Sequence, residues 1–163
     1  MSTADLYEQD FYAWVERNAT LIREGQMAEL DFEHIADELE ELMGNTRREF
    51  YRRLRVLLAH LLKWGWQVET RSTSWAGTIR TQRSDLSRLL KQNPSLKRFI
   101  PEEMAEAYPD ARELAAAETG KPVETFPAQC PFSIAEVLDK DLWPDQRRNK
   151  LLTDFLDYVI QQP

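Results

Sequence analysis

From Phe32 onward the apolar residues fall at Ile35, Leu39, Leu42, Met43, Phe50, Leu54, Leu57, Leu58, Leu61 and Trp64. Advanced by about 100° per residue, they all stay within one broad stripe of a single helix. A break at Gly44 would reset that phase, so the pattern predicts one helix from about Phe32 to Lys63, with Gly44 as its weak point. It would be roughly 48 Å long at 1.5 Å per residue. Asp31 has the residue type and the place of its N-cap. Such a stripe cannot bury itself, so the helix needs partner helices, from this chain or another.

The rest of the sequence supplies partners of the same kind. A first helix is expected over about Ala4–Glu24, with Tyr7, Phe11, Trp14, Leu21 and Ile22 on one side and Gly25 where a C-terminal glycine belongs. A turn over 65–73 leads to a helix from about Ser74 to Gln92, using Trp75, Ile79, Leu86, Leu89 and Leu90. Asn93-Pro94 ends it and starts a short helix around Leu96 and Phe99. A further helix is expected from Pro101 to Thr119, kinked or restarted at Pro109 and stopped by Gly120. "KPVETFPAQCPF" reads as an extended loop. Ser133 with Glu136 has capping-box spacing, and a last helix over about 145–161 carries Leu151, Leu152, Phe155, Leu156 and Val159. No segment alternates with a strand period. The expected fold is a single all-α domain over 1–163. It is a helical bundle built on one long central helix with antiparallel partners, shorter helices and a Pro-rich loop.

Charge is distributed in blocks. The net charge is −7, but residues 1–45 sum to −10, residues 46–98 to +10 and residues 99–163 to −7. No run of about 18 apolar residues predicts a membrane span. The acidic "MSTADLYEQDF" lacks the pattern of a secretion signal. With Cys130 as the single cysteine, a reduced thiol in a cytoplasmic setting is expected, buried and inert.

The segments "LDFEHIADELEEL", "HLLKW", "SWAGTIRTQR", "NPSLK", "AYPDARELAAAETG" and "FPAQCPF" occur in an order that resembles domain-of-unknown-function family twenty-nine of bacteria, over about residues 6–144. The resemblance implies a bundle-like helical fold. It implies no activity and no site residues, so the chemistry rests on the residues themselves.

Five arrangements are candidates. His34, with Asp31 and Glu38 one turn away, has a spacing that suits a metal, but on the helix His34 and Glu38 fall near 200° and 240° from Phe32 and should face water. The two histidines lie about 39 Å apart along a continuous helix, too far to share an ion, so no metal and no cofactor is expected. Glu38-x-x-Glu41 with Glu103-x-x-Glu106 resembles magnesium-binding carboxylate pairs, yet Glu41 points away from the stripe. His60 sits on the stripe's shoulder, half-buried, with one ring nitrogen able to reach a polar partner. The basic block, with Trp66 and Trp75 available for stacking, could track phosphates, or its charges could pair internally or between subunits. Finally His60, Lys63, Arg71, Trp75, Arg80 and Arg83 could ring a small anionic-ligand pocket around the 65–73 turn, with Tyr108, Arg112 and Glu118 a weaker counterpart.

No nucleophile–base pair is readable among these residues. The expected function is therefore a non-enzymatic protein-interaction or structural module, self-associating through its long helix, as a homo-oligomer or with another protein. Nucleic-acid binding through residues 46–98 is the alternative, and an enzyme or small-anion binder with a pocket near His60 is the third reading.

Overall fold

The structure is a computed structural model and describes residues 2–145. The C-terminal helix expected over 145–161 lies outside the described residues. Among the described residues there are six α-helices and no strand. The contacts divide the chain into two compact units, Met1–Arg47 and Arg48–Pro163.

The first unit begins with α1 (Thr3–Gln9) and α2 (Phe11–Glu24), where one helix was expected over Ala4–Glu24. The break is at Asp10, which leaves helical geometry at φ −153° and turns its carboxylate onto the amide of Ala13. Asp is a better cap than helix interior residue, because its short side chain competes for backbone amides. Ser2 and Asp5 form a capping box at the start of α1. Gly25 closes α2 in the left-handed region at φ 72°, which glycine enters without a Cβ penalty. Only Trp14 and Leu21 are buried apolar side chains in this unit, and Asn18 and Asp31 are buried beside them.

The long helix α3 (Phe32–Trp66) runs unbroken through Gly44. Asp31 caps it as expected: its Oδ1 accepts the His34 amide at 3.4 Å and its carbonyl accepts the Ile35 amide. The stripe is one pattern with two fates. Phe50, Leu54, Leu57 and Leu61 are no more than 1% exposed, whereas Phe32, Leu39, Leu42 and Met43 are all more than 60% exposed.

The second unit packs the covered part of α3 against α4 (Thr73–Gln92), α5 (Ile100–Thr119) and α6 (Ile134–Leu138). Leu54, Leu57, Leu58, Leu61 and Leu62 meet Ile79, Leu86 and Leu90 of α4 in one cluster. Each such side chain contributes about 1.5–3 kcal/mol on burial. From α5 come Ala107, Ala111 and Ala115, fully buried at four-residue spacing, a small-residue face that lets backbones approach.

Pro109 does not restart α5; the helix is continuous from Ile100 to Thr119 with the proline inside it. Pro109 and Ala105, whose carbonyl would have received the missing N–H, are both exposed, so water can take that carbonyl. The 120–133 segment is loop apart from a short 3-10 turn at Val123–Thr125. Ser133 and Glu136 form the expected capping box on α6. Near the end of α3, Gly65 is buried against Pro144, and a Cβ there would stand 3.1 Å from the Pro144 Cβ.

Candidate functional site

The six residues expected to ring one pocket are placed in two groups, both in the second unit. In the first, Lys63 is 3% exposed. Its ammonium reaches Glu118 Oε2 at 2.5 Å and His60 Nε2 at 3.3 Å, and lies 4.7 Å from the centre of the Trp75 ring. His60 Nδ1 lies 2.9 Å from the Val56 carbonyl. A carbonyl only accepts, so Nδ1 carries the proton and Nε2 accepts from Lys63: a neutral imidazole. Burial pushes the His60 pKa below its ordinary value and the neighbouring Lys63 pushes it the same way, outweighing the Val56 hydrogen bond. The shoulder position read from the sequence is where His60 stands, half-buried with a polar partner on each ring nitrogen.

The second group is built on tryptophans. Arg71 donates from Nε to the Trp64 carbonyl at 2.7 Å and from Nη2 to the Pro144 carbonyl at 3.2 Å, with its guanidinium 5.0 Å from the Trp64 ring centre. Trp64 packs on Trp143 at 4.7 Å, and Arg80 and Arg83 lie 5.3 and 5.8 Å from the Trp143 ring centre. Arg80 is exposed, whereas Arg83 is 3% exposed. Two grooves open beside this stack. One of about 380 Å³ is lined by Trp64, Arg71, Ser72, Thr73, Ala76 and Arg80. The other, of about 300 Å³, is lined by Arg80, Arg83, Ser84, Ser87, Leu138 and Lys140. Neither includes His60 or Lys63.

Tyr108 and Arg112 hold the proline-rich loop, donating to the carbonyls of Pro127 at 2.5 Å and Phe126 at 3.1 Å. They do not gather with Glu118, which serves Lys63. Cys130 is half-buried rather than buried, bonded through sulfur to the Phe132 carbonyl at 3.4 Å, and burial raises its thiol pKa. That keeps it protonated and unreactive.

In the first unit His34 is half-buried rather than fully exposed as its helical angle suggested. Its Nδ1 lies 2.7 Å from Asp31 Oδ2, and Tyr7 stacks on its ring at 4.0 Å and 13°. Asp31 also takes Trp14 Nε1 at 2.9 Å, and its amide donates to Asn18 Oδ1 at 3.2 Å. Glu38 is half-buried, accepting from the Tyr7 hydroxyl at 2.6 Å. The Asp31 hydrogen bond raises the His34 pKa against a smaller opposing effect of burial. For Asp31, burial pushes the pKa up, but the bonds from His34 and Trp14 together bring it below the ordinary value. Each shift favours the charged form of its group.

The family described as Domain of unknown function DUF29 matches residues 6–143, which is most of the chain. The chain belongs to that family. No curated protein and no solved structure matches it.

Within this DUF29 chain the 46–98 block spends many of its cations internally. Arg53 bridges Glu49 at 2.9 Å and Asp85 at 2.7 Å, Arg88 also takes Asp85, and Lys63, Arg71 and Arg83 are held as described above. Sequence reasoning missed Trp143, which no periodic pattern flags, and the packing of Tyr7 on the Asp31–His34 pair. No helix among the described residues is long and apolar enough to cross a membrane.

Proposed function

We propose that this DUF29 chain is a non-enzymatic interaction module whose copies pair through the exposed first part of α3. One observation carries the reading. Among the described residues, all the large apolar side chains that stand well exposed fall between Phe11 and Met43, and the α3 stripe of Phe32, Leu39, Leu42 and Met43 is the most continuous of them. Phe32, Ile35, Leu39 and Leu42 are spaced by three, four and three residues, the repeat of a two-helix seam. A second copy carries the identical stripe, so a two-fold pairing is self-complementary.

The charge layout agrees with a seam on this face. Glu33, Asp37, Glu40 and Glu41 fall about 100° or more from the stripe's centre at 100° per residue, so the acidic side chains flank or oppose the seam without entering it. The net −10 of residues 1–45 still sets up long-range repulsion between copies, which salt screens. Association therefore strengthens as salt rises. Sedimentation velocity at low and high sodium chloride tests this: a dimer fraction that grows with salt supports stripe-to-stripe pairing, and one that dissolves with salt contradicts it.

Nucleic-acid binding fits less well. Lys63, Arg53, Arg71, Arg83 and Arg88 already have carboxylate or carbonyl partners, which leaves less positive charge for a phosphate backbone than the composition of 46–98 implied.

A further inference from the structure

The 300 Å³ groove beside α4 is lined mainly by cations and hydroxyls. Among the described residues Arg80, Arg83, Ser84, Ser87 and Lys140, with Leu138, form it: three cations, two hydroxyls, and no carboxylate. Ser84 and Ser87 are one turn apart on α4, and Arg80 and Arg83 precede them at the same spacing, so the four come from two successive turns of one face. Lys140 is added from the chain just after α6.

Arg83 makes this more than a basic patch. Its Nε donates to the Val137 carbonyl at 2.8 Å and its Nη2 approaches the Glu136 carbonyl at 3.4 Å. Its Nη1 is buried with no hydrogen-bond partner among the described residues. Among the described residues this guanidinium, at 3% exposure, hydrogen-bonds only to neutral carbonyls and has no carboxylate in contact, and such a group is costly unless an anion compensates it. Asp139 acts on it through space but does not line the groove. Burial lowers the Arg83 pKa, the direction expected of an under-compensated cation. The two serine hydroxyls can donate to a further oxygen, and Arg80 and Lys140 supply mobile charge at the rim.

We propose that this groove binds a phosphate group, as the free anion or as the phosphoryl end of a small monoester, with Arg80, Lys140, Ser84 and Ser87 as direct ligands and Arg83 as the fixed positive wall. The volume is at the low end for ligand pockets, which suits a phosphoryl group with few atoms beyond it. The site does not depend on whether copies pair through α3.

Isothermal titration of the full chain with inorganic phosphate, and separately with glycerol phosphate, tests the proposal. One-to-one saturable binding is expected for at least one of them. Tighter phosphate binding identifies the free anion as the ligand, and tighter glycerol phosphate binding identifies a monoester. Arg80→Ala and Lys140→Ala remove exposed side chains, and each should weaken binding roughly 5–10-fold. Ser87→Glu places a carboxylate in the groove and should abolish binding, with the helical circular dichroism unchanged. Absence of saturable binding by either compound, or unchanged affinity in both the Arg80 and Lys140 variants, overturns it.

Discussion

Asp31 Oδ2 stands 2.7 Å from His34 Nδ1, and the same oxygen accepts Trp14 Nε1 from α2 at 2.9 Å. The N-cap of the long helix is thus also the centre of the first unit's polar cluster. Asp31→Ala removes the cap and leaves the Trp14 indole N–H without its acceptor. It should cost about 1–2 kcal/mol, within the range for lost caps. Urea unfolding of the two proteins checks this, and a change within error would contradict the pairing.

The two histidines should titrate in opposite directions. His34 is raised above 6.5 by Asp31, and His60 is lowered by burial and Lys63. Raising the folded pKa of His34 gives stability that is fully present below the unfolded value of about 6.5 and is lost as pH climbs through the folded value. Lowering that of His60 has the reverse sign: the unfolded chain takes up a proton first, so its contribution falls away as pH drops below about 6.5. A proton NMR titration of the imidazole Hε1 resonances should show one midpoint on each side of 6.5. Asp31→Asn should bring only the higher midpoint down.

Lys63 is buried and Glu118 is partly open, with side-chain exposures of 3% and 41%. Glu118→Ala should destabilise by about 1–2 kcal/mol, less than for a fully buried pair because water can partly replace the carboxylate. Lys63→Met, which keeps the stem and discards the charge, should change stability by less than about 1 kcal/mol. Chemical denaturation of both variants gives the comparison, and a larger loss for Lys63→Met than for Glu118→Ala would contradict the account.

Pro109 is carried on an exposed face of the continuous helix α5. Pro109→Ala restores the helical N–H to the Ala105 carbonyl and should stabilise the chain by about 1–3 kcal/mol. The melting temperature reads this directly. A decrease would mean that the proline ring itself is needed where it stands.

What the sequence made legible was what a single helix can express. The 3.6-residue stripe marked α3 across Gly44, Gly25 and Gly120 marked helix ends, and Ser133 with Glu136 marked the start of α6. What it hid depended on contacts between distant segments. His34 looked solvated by angle alone, because nothing local announces that Tyr7, 27 positions earlier, stacks on its ring. Arg83 was one of six residues read as ringing one pocket, and nothing local announces that the Val137 carbonyl, 54 positions away, holds it. The six proposed pocket residues separated because Lys63 is drawn inward to Glu118 while Arg71 and Arg80 turn to Trp64 and Trp143. Asp10 was read as helix interior because its capping role shows only in its departure from helical φ.

The proposed pairing turns on two adjacent turns of α3, where Leu39 and Leu42 are 62% and 63% exposed. Sedimentation equilibrium of the full chain at tens of micromolar, beside the Leu39→Glu/Leu42→Glu variant, tests it most directly. The wild type is predicted to sediment as a dimer and the variant as a folded monomer with the same helical content; a wild type that stays monomeric, or a variant that remains dimeric, contradicts it.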